Sequence, residues 1–317
     1  MNVYLTFDIE VWCNGWNDLD QVFPSSFERY VYGHSAHGDH ALPKTLEILN
    51  QYGLQGVFFV EPLFAARFGQ QHLDTIVGLI RNAGHDVQLH LHPEWTDEAL
   101  KPLIPDGTSK RQHLSYYTLE EQTALIACGK KMLEAAGTGP ISAFRSGSFA
   151  ANLHTFEALR RNHILLDSSL NRCHDVSAPE LLRGHHLDTV FNVAGVMTYP
   201  VTVFRDGFGK DRPAQVGACS FTEMRGALLD AQQKGAQHFV VVSHNFEMLK
   251  PGSVQPDWVV VRRFTQLCAF LGQHRDRFTV GSLTSAQAVP AAMVESPRTG
   301  CTATALRYAE QALRRLL

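Results

Sequence analysis

The sequence holds no pair of cysteines in a C-x-x-C spacing. Its six cysteines, Cys13, Cys128, Cys173, Cys219, Cys268 and Cys301, are scattered. That excludes a zinc knuckle and a disulfide framework and fits reduced thiols. No basic stretch followed by an apolar run precedes the first apolar segment, so no secretory leader is expected. No apolar run approaches the length of a membrane span. These absences predict a cytoplasmic protein without a transmembrane segment. A basic excess is missing too: the formal net charge is -3. Nucleic-acid binders usually carry a basic face, so such a partner is not expected. The chain shows no internal repeat and no low-complexity tract.

What is present is an ordinary globular composition. The 317 residues are 44% hydrophobic and 19% charged, enough for a sizeable core in one large α/β domain or two smaller ones. Sixteen histidines are many, which raises the prospect of metal or proton chemistry.

Along the chain, short buried runs alternate with helical spacing. Residues 4–12 read as a buried strand, apolar, β-branched and aromatic. A long irregular stretch follows from Asn14 to His40. Its aromatics (Trp16, Phe23, Tyr30, Tyr32) suggest a functional loop. His34, His37 and His40 in it are spaced by three, which would place them on one helical face. Solvated loop histidines are the preferred reading of these, and a second metal site the lesser one.

Helices are expected over 41–52, 71–83, 118–136, 155–162, 221–234, 258–271 and 304–317. Strands are expected over 56–60, 86–92, 141–145, 164–167, 197–203, 238–244 and 278–280. Gly53, Gly84 and Gly235 mark the helix ends. Stretches 96–115 and 171–184 read as loops. This alternation predicts a closed or nearly closed (β/α) barrel with helices outside and the active site at the C-terminal ends of the strands. The barrel is expected to span residues 1–288. Residues 289–317 would add a linker and a C-terminal helix packed on it.

Four strand ends are chemically loaded. The first ends in Asp8 and Glu10, poor strand residues that are costly to bury unpaired. A second ends in His90 and His92, followed by Glu94. A third ends in Arg145, and a fourth in His244, followed by Asn245-Phe246-Glu247. In an extended strand i and i+2 point the same way, so Asp8 faces with Glu10 and His90 with His92. A carboxylate with two imidazoles is the ligand set of a zinc-like hydrolytic centre. Taken singly, Arg145 also fits a structural ion pair, and His244 a plain strand end.

The motifs Leu5-Thr6-Phe7-Asp8, Gly56-Val57-Phe58-Phe59-Val60, Gly84-His85-Asp86-Val87-Gln88-Leu89-His90, Phe144-Arg145 and Val242-Ser243-His244 resemble, in this order, those of the polysaccharide deacetylases. These are the NodB-homology domains of carbohydrate esterase family 4. The resemblance covers about the first 285 residues. It implies a distorted (β/α)7 barrel that removes acetyl groups from sugars with one divalent metal, usually zinc. It also implies roles. Asp8 would be the catalytic base and Arg145 the group that positions it. His244 would be the general acid. Asp167 would tune that histidine, with Asp175 as the competing match. Glu10, His90 and His92 would hold the metal.

The sequence departs from the family pattern in three places. The usual adjacent acidic pair is Asp8-Ile9-Glu10 here, which leaves Asp8 itself as an alternative ligand. Glu94 stands where the family's second histidine is usual, so the third ligand is His92 or Glu94, with His92 preferred. Ser146-Gly147-Ser148-Phe149 replaces a Pro-aromatic pair.

The expected activity is N-deacetylation of a sugar in cell-surface glycan metabolism, of the O-antigen or exopolysaccharide type. The lack of an export signal points to a nucleotide-linked or lipid-linked precursor. The competing expectations are hydrolysis of another C–N bond, such as a formamide or cyclic amide, and a non-catalytic carbohydrate-binding barrel.

Overall fold

The structure, a computed structural model, describes residues 1–105, 107–174, 181, 189–283 and 294–316. Asp175, parts of the expected loop 171–184 and linker 289–300, and the side chains of Arg315 and Leu316 lie outside the described residues. In chain order, residues 1–56 form β1 (Asn2–Ile9), α1 (Leu19–Phe27), a π-helical turn (Glu28–Tyr32), β2 (His34–Ser35), β3 (Gly38–Asp39) and α2 (Leu42–Gln51). Next come β4 (Gly56–Val60), α3 (Ala65–Phe68), α4 (Gln70–Asn82), β5 (Asp86–Leu91), α5 (Leu119–Ala135), β6 (Ala143–Ser146), α6 (Leu153–Arg161), β7 (Leu166–Asp167), β8 (Phe191–Val193) and β9 (Val196–Thr198). The remainder forms β10 (Val203–Arg205), β11 (Asp211–Pro213), α7 (Phe221–Gln233), β12 (His238–His244), α8 (Trp258–Gln273), β13 (Thr279–Val280) and α9 (Cys301–Leu316).

The chain divides into two compact units. The first comprises Met1–Gly56, Thr202–Gly281 and Val294–Leu317. Its spine is β1, buried from Val3 to Ile9. Such a continuously buried, mostly apolar run suits a parallel strand covered on both faces. β1 pairs in parallel with β12 over seven residue pairs, ending at Asp8 opposite His244. It also pairs in parallel with β13. Helix α9 is fixed to this unit by ion pairs. Arg307 is almost fully buried and meets Asp206 at 3.1 Å and Glu223 at 2.9 Å. Glu310 meets Arg263 at 2.7 Å, and Arg314 meets Asp257.

The second unit comprises Val57–Val201 and Ser282–Met293. Here β4, β5, β6, β7 and β9 run parallel in that order, and β8 closes the edge as an antiparallel hairpin with β9. Helix α5 opens with a capping box, Thr118 and Glu121 each satisfying the other's backbone N–H.

Two expectations need correction. The stretch Asn14 to His40 is largely ordered, as α1, the π-helical turn and the β2–β3 hairpin. Its histidines do not share a helical face. His34 pairs with Asp39 across the hairpin, His40 bonds the Gly38 carbonyl, and the rings of His37 and His40 lie edge-on to Trp258. The strand expected over 197–203 is broken between β9 and β10, and β10 turns back on β11. Pro200 lacks the N–H a continuing ladder needs. All six cysteines are free thiols. Among the described residues no helix is long and apolar enough to cross a membrane.

Candidate active site

Each unit gathers its reactive residues where parallel strands end, because carboxyl-end loops converge there. In the first unit the register sets Asp8 beside His244, and both Asp8 and Glu10 are buried. Glu10 is held from two sides. Its backbone N–H donates to Asn245 Oδ1 at 3.1 Å, and its carbonyl accepts from Asn245 Nδ2 at 3.0 Å. The carboxylate Oε2 accepts the Trp12 indole N–H at 2.6 Å. The same Asn245 amide donates to the Tyr30 carbonyl, which ties the π-helical turn to the end of β1.

His244 donates from Nδ1 to Glu247 Oε1 at 2.8 Å, and its ring stacks on Phe246. Glu247 is braced further. It accepts from Gln215 Nε2 at 2.6 Å, Gly217 N at 2.6 Å and Ser243 Oγ at 3.1 Å. A Cβ at 217 would lie 2.7 Å from Glu247 Oε2 and displace this braced carboxylate, so glycine leaves it room. Burial works against charge on His244. The hydrogen bond to Glu247, together with the fields of Glu10, Glu247 and Asp8, prevails and lifts its pKa to about 9. At neutral pH the ring is an imidazolium.

In the second unit β5 ends in His90 and His92, both buried, with ring centroids 4.8 Å apart. His90 Nδ1 lies 2.8 Å from the Arg145 carbonyl. A carbonyl only accepts, so Nδ1 carries the proton and the neutral ring's lone pair is on Nε2. His92 Nδ1 meets Glu94 Oε2 at 3.2 Å, which gives the same tautomer. Glu94 is therefore the partner that orients His92. Gly147 has a packing reason: a Cβ there would sit 2.7 Å from the His92 ring. The two residues after it, Ser148 and Phe149, take left-handed backbone angles, a cost often found at functional sites.

Arg145 is fully buried and lies opposite His90 in register. It donates from Nε to the Ser168 carbonyl at 3.1 Å and from Nη2 to Ser168 Oγ at 2.9 Å, and its guanidinium lies over Phe59. Asp167 accepts from Ser169 N at 3.0 Å, Ser169 Oγ at 2.5 Å and Thr198 Oγ1 at 2.6 Å. Burial still raises its pKa against those bonds and the Arg145 charge. The carboxylate bonded to His244 is Glu247, three positions on in the same turn; tuning of His244 by Asp167 stays a proposal.

Sequence reasoning overlooked Asn245, Trp12 and Glu61. Glu61 follows β4, is buried, and accepts from the N–H groups of Leu63 and Phe64. Burial lifts its pKa to about 8, opposed by those bonds and by His92. The signal in the sequence was a lone acid closing an apolar run, the same signal that singled out Asp8.

No family model and no curated protein sequence matches the chain. Solved structures do. A Mycobacterium smegmatis protein assigned as a polysaccharide deacetylase superposes with a TM-score of 0.53 at 18% identity, over 90% of this chain and 94% of its own. The Thermococcus litoralis 4-alpha-glucanotransferase gives 0.56 at 12% identity, over 95% of this chain and 42% of its own. A Streptomyces lividans family 4 carbohydrate esterase gives 0.46 at 12%, over 93% and 98%. The first two show the fold. It is the α/β class and the distorted (β/α)7 barrel expected from the sequence.

Proposed function

We propose that the protein is a divergent polysaccharide deacetylase, a metal-dependent hydrolase that removes the acetyl group from an N-acetylated sugar of cell-surface glycan metabolism. One observation carries this reading. Asp8 and His244 end adjacent parallel strands in register, one a carboxylate, the other an imidazolium held by Glu247. That is a base and an acid prepared for one amide bond. The order of motifs along the chain supports it, as does a fold shared with a protein assigned to this activity.

The proposed metal ligands are Glu10, His90 and His92, each of them buried. Their chemistry fits a zinc-like cation. Both imidazoles have Nδ1 bonded to an acceptor, which makes Nε2 the ligating atom. Trp12 steers the Glu10 carboxylate. When bound, such an ion polarises an acyl carbonyl and acidifies a water. Asp8 takes the proton of the attacking water. Arg145, anchored on Ser168, is assigned to steer Asp8. His244 delivers its Nε2 proton to the departing sugar amine, and Glu247 keeps the ring aimed and charged while it does so.

The test is acetate release from N-acetylglucosamine and its oligomers, with and without a chelator. Asp8→Asn and His244→Gln are each expected to lower kcat at least 100-fold, the low end for loss of a general acid or base. Chelation is expected to abolish turnover, and zinc to restore it. Full activity in His244→Gln would remove the acid assignment. Formate release in place of acetate would overturn the deacetylase reading.

A further inference from the structure

Beside His244, within the first unit, lies a cavity of about 470 Å³, within the size range of small-ligand sites. The deacetylation chemistry uses only His244 and Glu247 of its lining. A row of rings starts at His244. His244 stacks on Phe246, Phe246 meets Tyr30 edge-on at 5.3 Å, and the Arg29 guanidinium carbon lies 5.0 Å from the Tyr30 ring centre. Lys250 and Arg314 also line the cavity.

The charge balance of this lining is uneven. Its one carboxylate is Glu247, already taken up by His244, Gln215, Gly217 and Ser243. Arg314 is paired with Asp257. Arg29 differs: its Nε is buried and has no hydrogen-bond partner among the described residues. A buried guanidinium N–H without an acceptor is costly, and a bound oxyanion would remove that cost. Arg29 and Tyr30 stand on the π-helical turn Glu28–Tyr32, a rare geometry that recurs at functional sites. The turn is closed by Gly33, at φ 60. A Cβ at Gly33 would lie 2.9 Å from Leu249, another lining residue.

We propose that this cavity binds an anionic oxyacid group carried by the substrate, with Arg29 as its principal contact. Phosphate and carboxylate share the required chemistry, a planar or tetrahedral set of oxygens that accepts the arginine fork. The sugar would lie along the Phe246–Tyr30 row, its acyl group toward His244 and its anion toward Arg29. That the anion belongs to an acylated sugar rests on the deacetylase reading; the anion site itself does not.

Calorimetric titration of the full chain separates the two. The probes are N-acetylglucosamine 1-phosphate, N-acetylmuramic acid and uncharged N-acetylglucosamine. The variants are Arg29→Gln, Arg29→Lys and, as a charge control, the exposed Arg262→Gln, with circular dichroism to verify folding. The wild type is expected to bind at least one charged probe about 10-fold or more tightly than the neutral one. Arg29→Gln should weaken that probe by about 10- to 100-fold, the range for hydrogen bonds to a charged group, and leave the neutral one unchanged. Arg29→Lys should restore part of the loss. Preference for the phosphate or the carboxylate probe identifies the oxyacid. Equal binding of charged and neutral probes, or an equal loss in Arg262→Gln, overturns the proposal. If binding depends on Arg29 but no acetate is released, the anion site stands and the deacetylase reading fails. If acetate is released with the same kcat/KM from charged and neutral sugars in wild type and Arg29→Gln, the reverse holds.

Discussion

His244 owes its charge to residues that surround it, above all to Glu247. Removing that charge without changing the shape should therefore alter how His244 titrates. Glu247→Gln is expected to lower the His244 pKa and draw the alkaline limb of kcat/KM to lower pH, since a general acid works only while protonated. The sign for stability follows from the same shift. The folded pKa of about 9 lies above the ordinary value of 6.5. The stabilisation is thus complete below about 6.5 and is lost as pH rises through about 9. Urea midpoints at pH 6 and pH 9.5 should converge in Glu247→Gln relative to wild type. An unmoved alkaline limb would assign it to another group. At this scale Asp8, Glu10, His90, His92, Arg145 and His244 stood out in the sequence because each interrupts or ends an apolar run. Glu247 did not stand out, because a carboxylate in a polar turn is ordinary until its four donors are seen.

Elements were readable where one pattern dominated. The buried strands β1, β4 and β12 are mostly apolar runs, and α5 announced itself by its capping box. Thr118→Ala is expected to cost about 1 kcal/mol, the usual value of such a cap, as a lowered urea midpoint with unchanged kcat. No change would mean that Glu121 and its ion pair with Arg111 hold the helix start alone. Helix α1 was missed although Leu19, Phe23 and Phe27, all buried, recur every four residues. Pro24 inside it removes a helical N–H and masks the signal. The π-helical turn has no sequence signature at all. Its widened turn is kept by tertiary bonds, such as the one from Asn245 to the Tyr30 carbonyl.

For the molecule as a whole, the first unit is assembled from three separate stretches of chain, and α9 is joined to it through buried charge. Arg307→Met would leave Glu223 and Asp206 without their shared cation. A loss of about 3 kcal/mol is expected, the low end for removing one partner of a buried pair, measured by urea unfolding. A smaller loss would mean that Arg212, 3.1 Å from Asp206, and Thr304, 3.0 Å from Glu223, suffice. By itself the sequence determined the α/β alternation, the barrel class and the residue types available for catalysis. Those follow from local periodicity and from the cost of placing charge in an apolar run. Only the tertiary structure decided which carboxylate serves His244, which imidazole nitrogen carries its proton, and which glycines admit their neighbours. Each of those depends on ångström-scale approach between side chains, some within one turn, as His244 and Glu247, others on separate segments, as His90 and Arg145, and no sequence pattern encodes that distance.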